Sequence, residues 1–120
     1  MKNTFFSVGL EEEYLVVNKY NGELIVEPPK GLMRDCKKKL GNQVKPEFLK
    51  SQIEVGTKIC KSIKDLKNNL IFLRRSIAKI LDKYDLAFIA VSTHPFSGWE
   101  TQKHTEKRRY FNLPDKFQIV

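Results

Sequence analysis

The sequence predicts an α+β domain: an antiparallel sheet with helices packed on one of its faces. Phe5–Val17 and Ser51–Thr57 alternate apolar and polar residues with the period of two that sends successive strand side chains to opposite faces. Asn21-Gly22 between apolar runs is a hairpin signal, and hairpins join antiparallel strands. Ser62–Leu81 instead repeats its apolar residues every three or four positions, as one face of a helix does. With 120 residues, 41% hydrophobic and 30% charged, the chain fits one globular domain and is not disordered.

The first strand, FFSVGLEEEYLVV, carries three consecutive glutamates. Parity puts Phe6, Val8, Leu10, Tyr14 and Val16 on a mostly apolar face. Ser7, Gly9, Glu11 and Glu13 share the other, with Glu12 turned away from its two neighbours. Glu11 and Glu13 then stand roughly 6.5–7 Å apart along the strand. Carboxylates that close repel unless a cation or proton lies between them. They suit a hard cation such as Mg2+, which takes oxygen ligands; a solvated strand face has the same spacing.

After Asn21-Gly22 a short return strand is expected over Glu23–Val26, ended by Pro28 and Pro29. Gly31–Leu40 reads as a helix with Leu32, Met33, Cys36 and Leu40 on one side, stopped by Gly41 and Asn42. Val44–Thr57 reads as a loop entering a strand. There Ser51, Ile53, Val55 and Thr57 face one way, and Gln52, Glu54 and Gly56 the other. Two such polar faces in neighbouring strands would make a polar floor, which favours the metal-site reading.

Ser62, with Asp65 three residues on, resembles a capping box. The helix it opens carries Ile63, Leu66, Leu70, Leu73, Ile77 and Leu81 in one stripe, with Lys64, Lys67, Arg74 and Lys79 largely outward. Phe6, Val8, Leu10, Ile53 and Val55 are its expected partners. Leu86–Ser92 reads as an interior strand leading to Thr93-His94-Pro95-Phe96, where His94 suits a structural hydrogen-bonding role. Thr105–Tyr110 reads as a short helix start, and Phe117–Val120 as a further apolar run.

No apolar run approaches the ~20 residues that span a bilayer, so no membrane partner is expected. The opening residues lack an apolar region followed by a small-residue cleavage site, so no signal peptide is expected. Cys36 and Cys60 are too few for a disulfide framework or a cysteine zinc site, which fits a reduced, cytoplasmic setting. The net charge of +8 raises a competing reading, a basic phosphate- or nucleic-acid-binding module built on Lys37-Lys38-Lys39 and Lys107-Arg108-Arg109-Tyr110 with Trp99 nearby. No known nucleic-acid motif accompanies those charges, which makes a nucleic-acid partner the weaker expectation.

Four blocks carry a family resemblance: Gly9-Leu10-Glu11-Glu12-Glu13-Tyr14, Pro46–Glu54 (PEFLKSQIE), Thr93-His94-Pro95-Phe96 and Arg109-Tyr110. In this order and spacing the chain resembles the N-terminal part of the type 2 glutamate–cysteine ligases, which are carboxylate–amine ligases. The resemblance implies a fold similar to the glutamine synthetase catalytic domain, here incomplete, with residues 1–120 forming the N-terminal portion of one catalytic domain. It implies that ATP phosphorylates a carboxylate, typically the γ-carboxylate of glutamate, and that an amine such as that of cysteine attacks the acyl phosphate. It implies Mg2+ or Mn2+ held by Glu11, Glu13 and Glu54, with Glu47 a less secure match. Gln52, Arg109 and Tyr110 become candidates for binding ATP or substrate, since an amide offers donors and a guanidinium clamps anions. Such enzymes are much longer, so the chain alone is expected to be inactive. It is expected to self-associate or to pair with a missing C-terminal part. A truncated product, a split gene and an inactive remnant all fit.

Overall fold

The computed structural model describes residues 6–106. Four strands form one antiparallel sheet in the order β2-β3-β1-β4: β1 (Glu11–Asn18), β2 (Val44–Pro46), β3 (Gln52–Gly56) and β4 (Leu86–Ile89). Two helices, α1 (Leu32–Leu40) and α2 (Ile63–Asp82), complete the α+β fold. One sheet face packs against both. Tyr14 and Val16 of β1, Ile53 and Val55 of β3, Val44 and Leu86 meet Leu32, Cys36 and Leu40 of α1 and Leu73, Ile77, Ile80 and Leu81 of α2 in a single core. Fully burying each large apolar side chain contributes roughly 1.5–3 kcal/mol.

Both helices form where the sequence places them. The α2 start is capped by Ser62, whose Oγ accepts from Asp65 N at 3.1 Å. The α1 end is released at Gly41, whose φ of 57° is costly for residues with a Cβ. The turn after β1 closes through Gly22 N donating to Asn18 O at 2.9 Å, with Gly22 at φ 73°.

Several expectations change. The return strand over Glu23–Val26 is reduced to one bridge, Val17 to Leu24. That edge of β1 is already taken by β3 up to Leu15, and Val16 N donates to Ser51 O, so little of it is left to pair. The loop read before β3 contains a strand instead: β2 pairs Val44, Lys45 and Pro46 with Val55, Glu54 and Ile53. Three residues are too few for periodicity to show. The interior strand expected over Leu86–Ser92 is shorter, Leu86–Ile89, and lies at an edge of the described sheet.

The α2 stripe is only half used. Leu73, Ile77 and Leu81 are buried, whereas Ile63 is 70% exposed, because the core lies under the C-terminal half of the helix. The expected partners shift accordingly. Phe6 is 81% exposed, Val8 and Leu10 are half-buried, and Tyr14 and Val16 take their place in the core. His94 takes the structural role expected of it. Its Nδ1 accepts from Phe96 N and Ser97 N, so its Nε2 is the donor to Gly22 O at 2.8 Å. Thr105 opens no helix within the described residues; its N donates to Phe48 O at 2.8 Å. The remainder of that expected helix, with Lys107-Arg108-Arg109-Tyr110, and the Phe117–Val120 run lie outside the described residues.

Candidate metal centre

The acidic floor is built by register. β1 and β3 pair so that Glu13 faces Glu54, Glu11 faces Gly56 and Leu15 faces Gln52. Directly paired residues of an antiparallel ladder share a face. Glu11, Glu13, Gln52 and Glu54 therefore stand on the side away from α1 and α2, whose core takes Tyr14, Val16, Ile53 and Val55. Gly56 leaves space beside Glu11, whose Cγ lies 3.9 Å from where a Cβ on residue 56 would be. Further along the same face Leu15 and Val17 are buried, so the acidic part occupies one end of it.

Glu47 enters from the turn before β3. Its Oε1 accepts from Phe48 N at 2.8 Å. One carboxylate oxygen from each of Glu13, Glu47 and Glu54 lies within 4.8 Å of the others. Glu54 pairs in register with Lys45 of β2, whose Nζ stands 3.8 Å from its Oε1. Lys45, Glu54 and Glu13 thus form a row across three strands. Lys45 could not be found from sequence, since nothing marked β2 as a strand.

The pair Glu47–Glu54 shows the electrostatic cost of this arrangement. A hydrogen bond that the protonated Glu54 carboxyl donates to Glu47, then burial, then the charges of Glu47 and Glu11 push the Glu54 carboxyl above its ordinary range, with Lys45 opposing. Two carboxyl groups in contact share a proton because they cannot both ionise cheaply. The all-oxygen set of Glu13, Glu47 and Glu54 fits Mg2+ or Mn2+ by its donor chemistry.

In the metal-free chain the Glu54 carboxyl should make stability depend on pH. The folded state raises the Glu54 pKa, so its protonated form favours folding. That contribution is complete below the unfolded carboxylate pKa of about 4.3 and is lost as pH rises through the raised folded value. Glu54→Gln removes the charge and should raise the neutral-pH Tm by a few degrees, while the gain fades toward pH 4. Thermal melts at the two pH values check this; an equal shift at both would disconnect the effect from Glu54 ionisation.

Gln52 sits beside the acidic end. Its Oε1 accepts from Leu49 N at 3.2 Å. It borders two depressions: one of about 560 Å³, lined also by Glu11, Glu13, Glu54, Val91 and Ser92, and one of about 390 Å³, lined by Val16, Leu32, Met33 and Ile53 among others. Arg109 and Tyr110 lie outside the described residues. Glu12 points to the helix side, where it pairs with Arg74 of α2. Arg74, expected to be largely outward, is half exposed yet engaged.

A family model described as glutamate-cysteine ligase family 2 matches residues 7–120. A relative from Jannaschia sp. (strain CCS1), carrying the name "Putative glutamate--cysteine ligase 2", is 48% identical over 108 residues, which cover 90% of this chain and 28% of the relative. A relative of the same name from Rhodospirillum rubrum is 44% identical over 100% of this chain and 32% of its own length. One from Chloroflexus aurantiacus is 34% identical over 94% of this chain and 29% of its own. The chain thus spans under a third of the length of these curated relatives. It belongs to the glutamate-cysteine ligase family 2.

Proposed function

We propose that this chain forms the metal- and phosphate-facing part of an ATP-dependent carboxylate–amine ligase of the glutamate–cysteine type, incomplete on its own. The single observation that carries this is the convergence of Glu13, Glu47 and Glu54 within 4.8 Å on the sheet face away from the helices, beside Glu11 and Gln52. Family membership and the relatives' names support the ligase class.

In this reading Glu13, Glu47 and Glu54, with Glu11 one step along, hold Mg2+ or Mn2+. The bound cation supplies neutralisation of phosphate charge. The chain's own residues do the positioning. The sheet fixes the carboxylates on a rigid surface, as suits a reaction that depends on orientation and charge compensation. The Gln52 amide, with its oxygen turned to Leu49 N, presents NH2 donors to an ATP or amino-acid oxygen. Arg109 and Tyr110 serve as further ATP or substrate contacts. The substrates are ATP, glutamate or a similar carboxylate, and an amine such as cysteine, in a cytoplasmic setting. No described helix is long and apolar enough to cross a membrane.

Within the described residues β2 and β4 are the outer strands of the sheet, and an open edge is a template for pairing. This supports self-association, or completion by a separate C-terminal part. An ATP-consumption assay with glutamate and cysteine should find no turnover by the isolated chain. Turnover near 1 s⁻¹ or above is expected on adding a complementing C-terminal fragment, and Glu54→Gln should abolish it. Turnover by the chain alone at that rate would refute the incompleteness.

A second reading, a basic anion-binding surface, has its own observation. Lys38, Lys39, Arg75, Lys79 and Lys83 line a groove of about 1060 Å³ between α1 and α2, on the other side of the molecule from the carboxylates. Titration with a labelled single-stranded oligonucleotide distinguishes the two. Binding that survives physiological salt would favour this surface, since non-specific phosphate contacts weaken steeply with ionic strength.

A further inference from the structure

We propose that Glu12, Arg74 and Tyr14 form a clamp that positions the metal-facing carboxylates of β1; the inference rests on the metal reading given above. Glu12 lies between Glu11 and Glu13, and it alone of the three turns toward the helices. Arg74, midway along α2, grips it with two donors. Its Nε donates to Oε2 at 2.9 Å, and its Nη2 donates to Oε1. Tyr14, fully buried and with its ring stacked on Phe88 at 4.2 Å, donates its hydroxyl to the same Oε2 at 2.6 Å. The Glu12 side chain is 17% exposed and that of Arg74 47%.

Three consecutive glutamates are ambiguous in a strand. A slip of one residue would send Glu12 to the acidic face and Glu11 and Glu13 to the helices. The apolar residues beyond Glu13 do little to remove that ambiguity, because Leu15 and Val17 on the acidic face are buried nearly as well as Tyr14 and Val16. Arg74 does remove it. A planar two-donor grip fixes both distance and direction, which a point charge does not. With Glu12 held from the helix side, Glu11 and Glu13 must present to the other. Glu12 and Arg74 are positioning residues in this scheme and do not touch the metal.

The test is Mn2+ affinity of the whole chain, measured by calorimetry alongside thermal melts followed by circular dichroism. Glu12→Gln and Arg74→Met should each weaken Mn2+ binding about 10–100-fold, as loss of ligand-orienting partners does elsewhere. The double variant should be no weaker than either single one, because both break the same grip. Arg74→Lys should recover only part of the affinity. A merely structural ion pair would lower the melting temperature and leave the affinity of the folded chain unchanged; that result overturns the clamp while the metal reading stands. Tighter binding in Arg74→Met would overturn it too, since it would mean that released Glu12 is itself a ligand. If Arg74→Met fails to fold, Glu12→Gln and Arg74→Lys decide the matter by the same criterion. A wild-type chain that binds no Mn2+ removes the metal reading and the clamp with it.

Discussion

Leu73→Ala is expected to destabilise the chain by about 2–5 kcal/mol. Leu73 is fully buried where α2 crosses the sheet, in the core that also contains Tyr14, Val16 and Leu86. Truncation loses the transfer free energy of the removed atoms and leaves a cavity that the rigid sheet cannot fill. Domains of this size are stable by only about 5–15 kcal/mol in total, so much of that margin is at stake. The fall in Tm should be on the order of 10 °C. Ile63→Ala is the control. The two residues belong to one helical stripe, yet Ile63 is largely exposed, and its replacement should move stability by no more than about 0.5 kcal/mol. Equal effects in chemical denaturation would show that the N-terminal half of α2 is covered in solution.

Glu13→Gln is expected to weaken Mn2+ binding by at least the 10–100-fold typical of a lost orienting partner, since it replaces a charged carboxylate of the proposed centre with a neutral amide. An amide keeps the shape and gives up the charge, and a hard cation depends on that charge. Glu11→Gln should cost less. Glu11 faces the side-chain-free Gly56, one step along from the point where Glu13, Glu47 and Glu54 meet. Titrating both variants, with the melting temperature as a check on folding, ranks the two. An unchanged affinity in Glu13→Gln would remove the candidate centre, whatever the family's chemistry.

Much of this site was legible in the sequence. Strand parity alone put Glu11 and Glu13 on one face of their strand and Gln52 with Glu54 on one face of theirs, because the side-chain period of a strand is fixed by its backbone. Glu47 was the exception. It lies in the turn before β3, where no period applies, and only the family pattern pointed to it. Lys45 escaped for a related reason. Its strand is three residues long and contains Pro46, so neither length nor alternation marks it.

By itself the sequence determined the α+β class, both helices with the capped start of α2 and the glycine stop of α1, the hydrophobic stripe of α2 and the parity of the glutamate strand. All of these follow from local periodicity and from capping or turn residues. Only the tertiary structure decided which strands are neighbours, and therefore that Glu13 faces Glu54 while Glu11 faces Gly56. It alone decided that the lower half of the α2 stripe is the buried half, and that Arg74 reaches Glu12. Register and docking depend on contacts between residues distant in the chain, such as positions 12 and 74. Their energies come from burial and charge pairing across the whole fold, which no local period encodes.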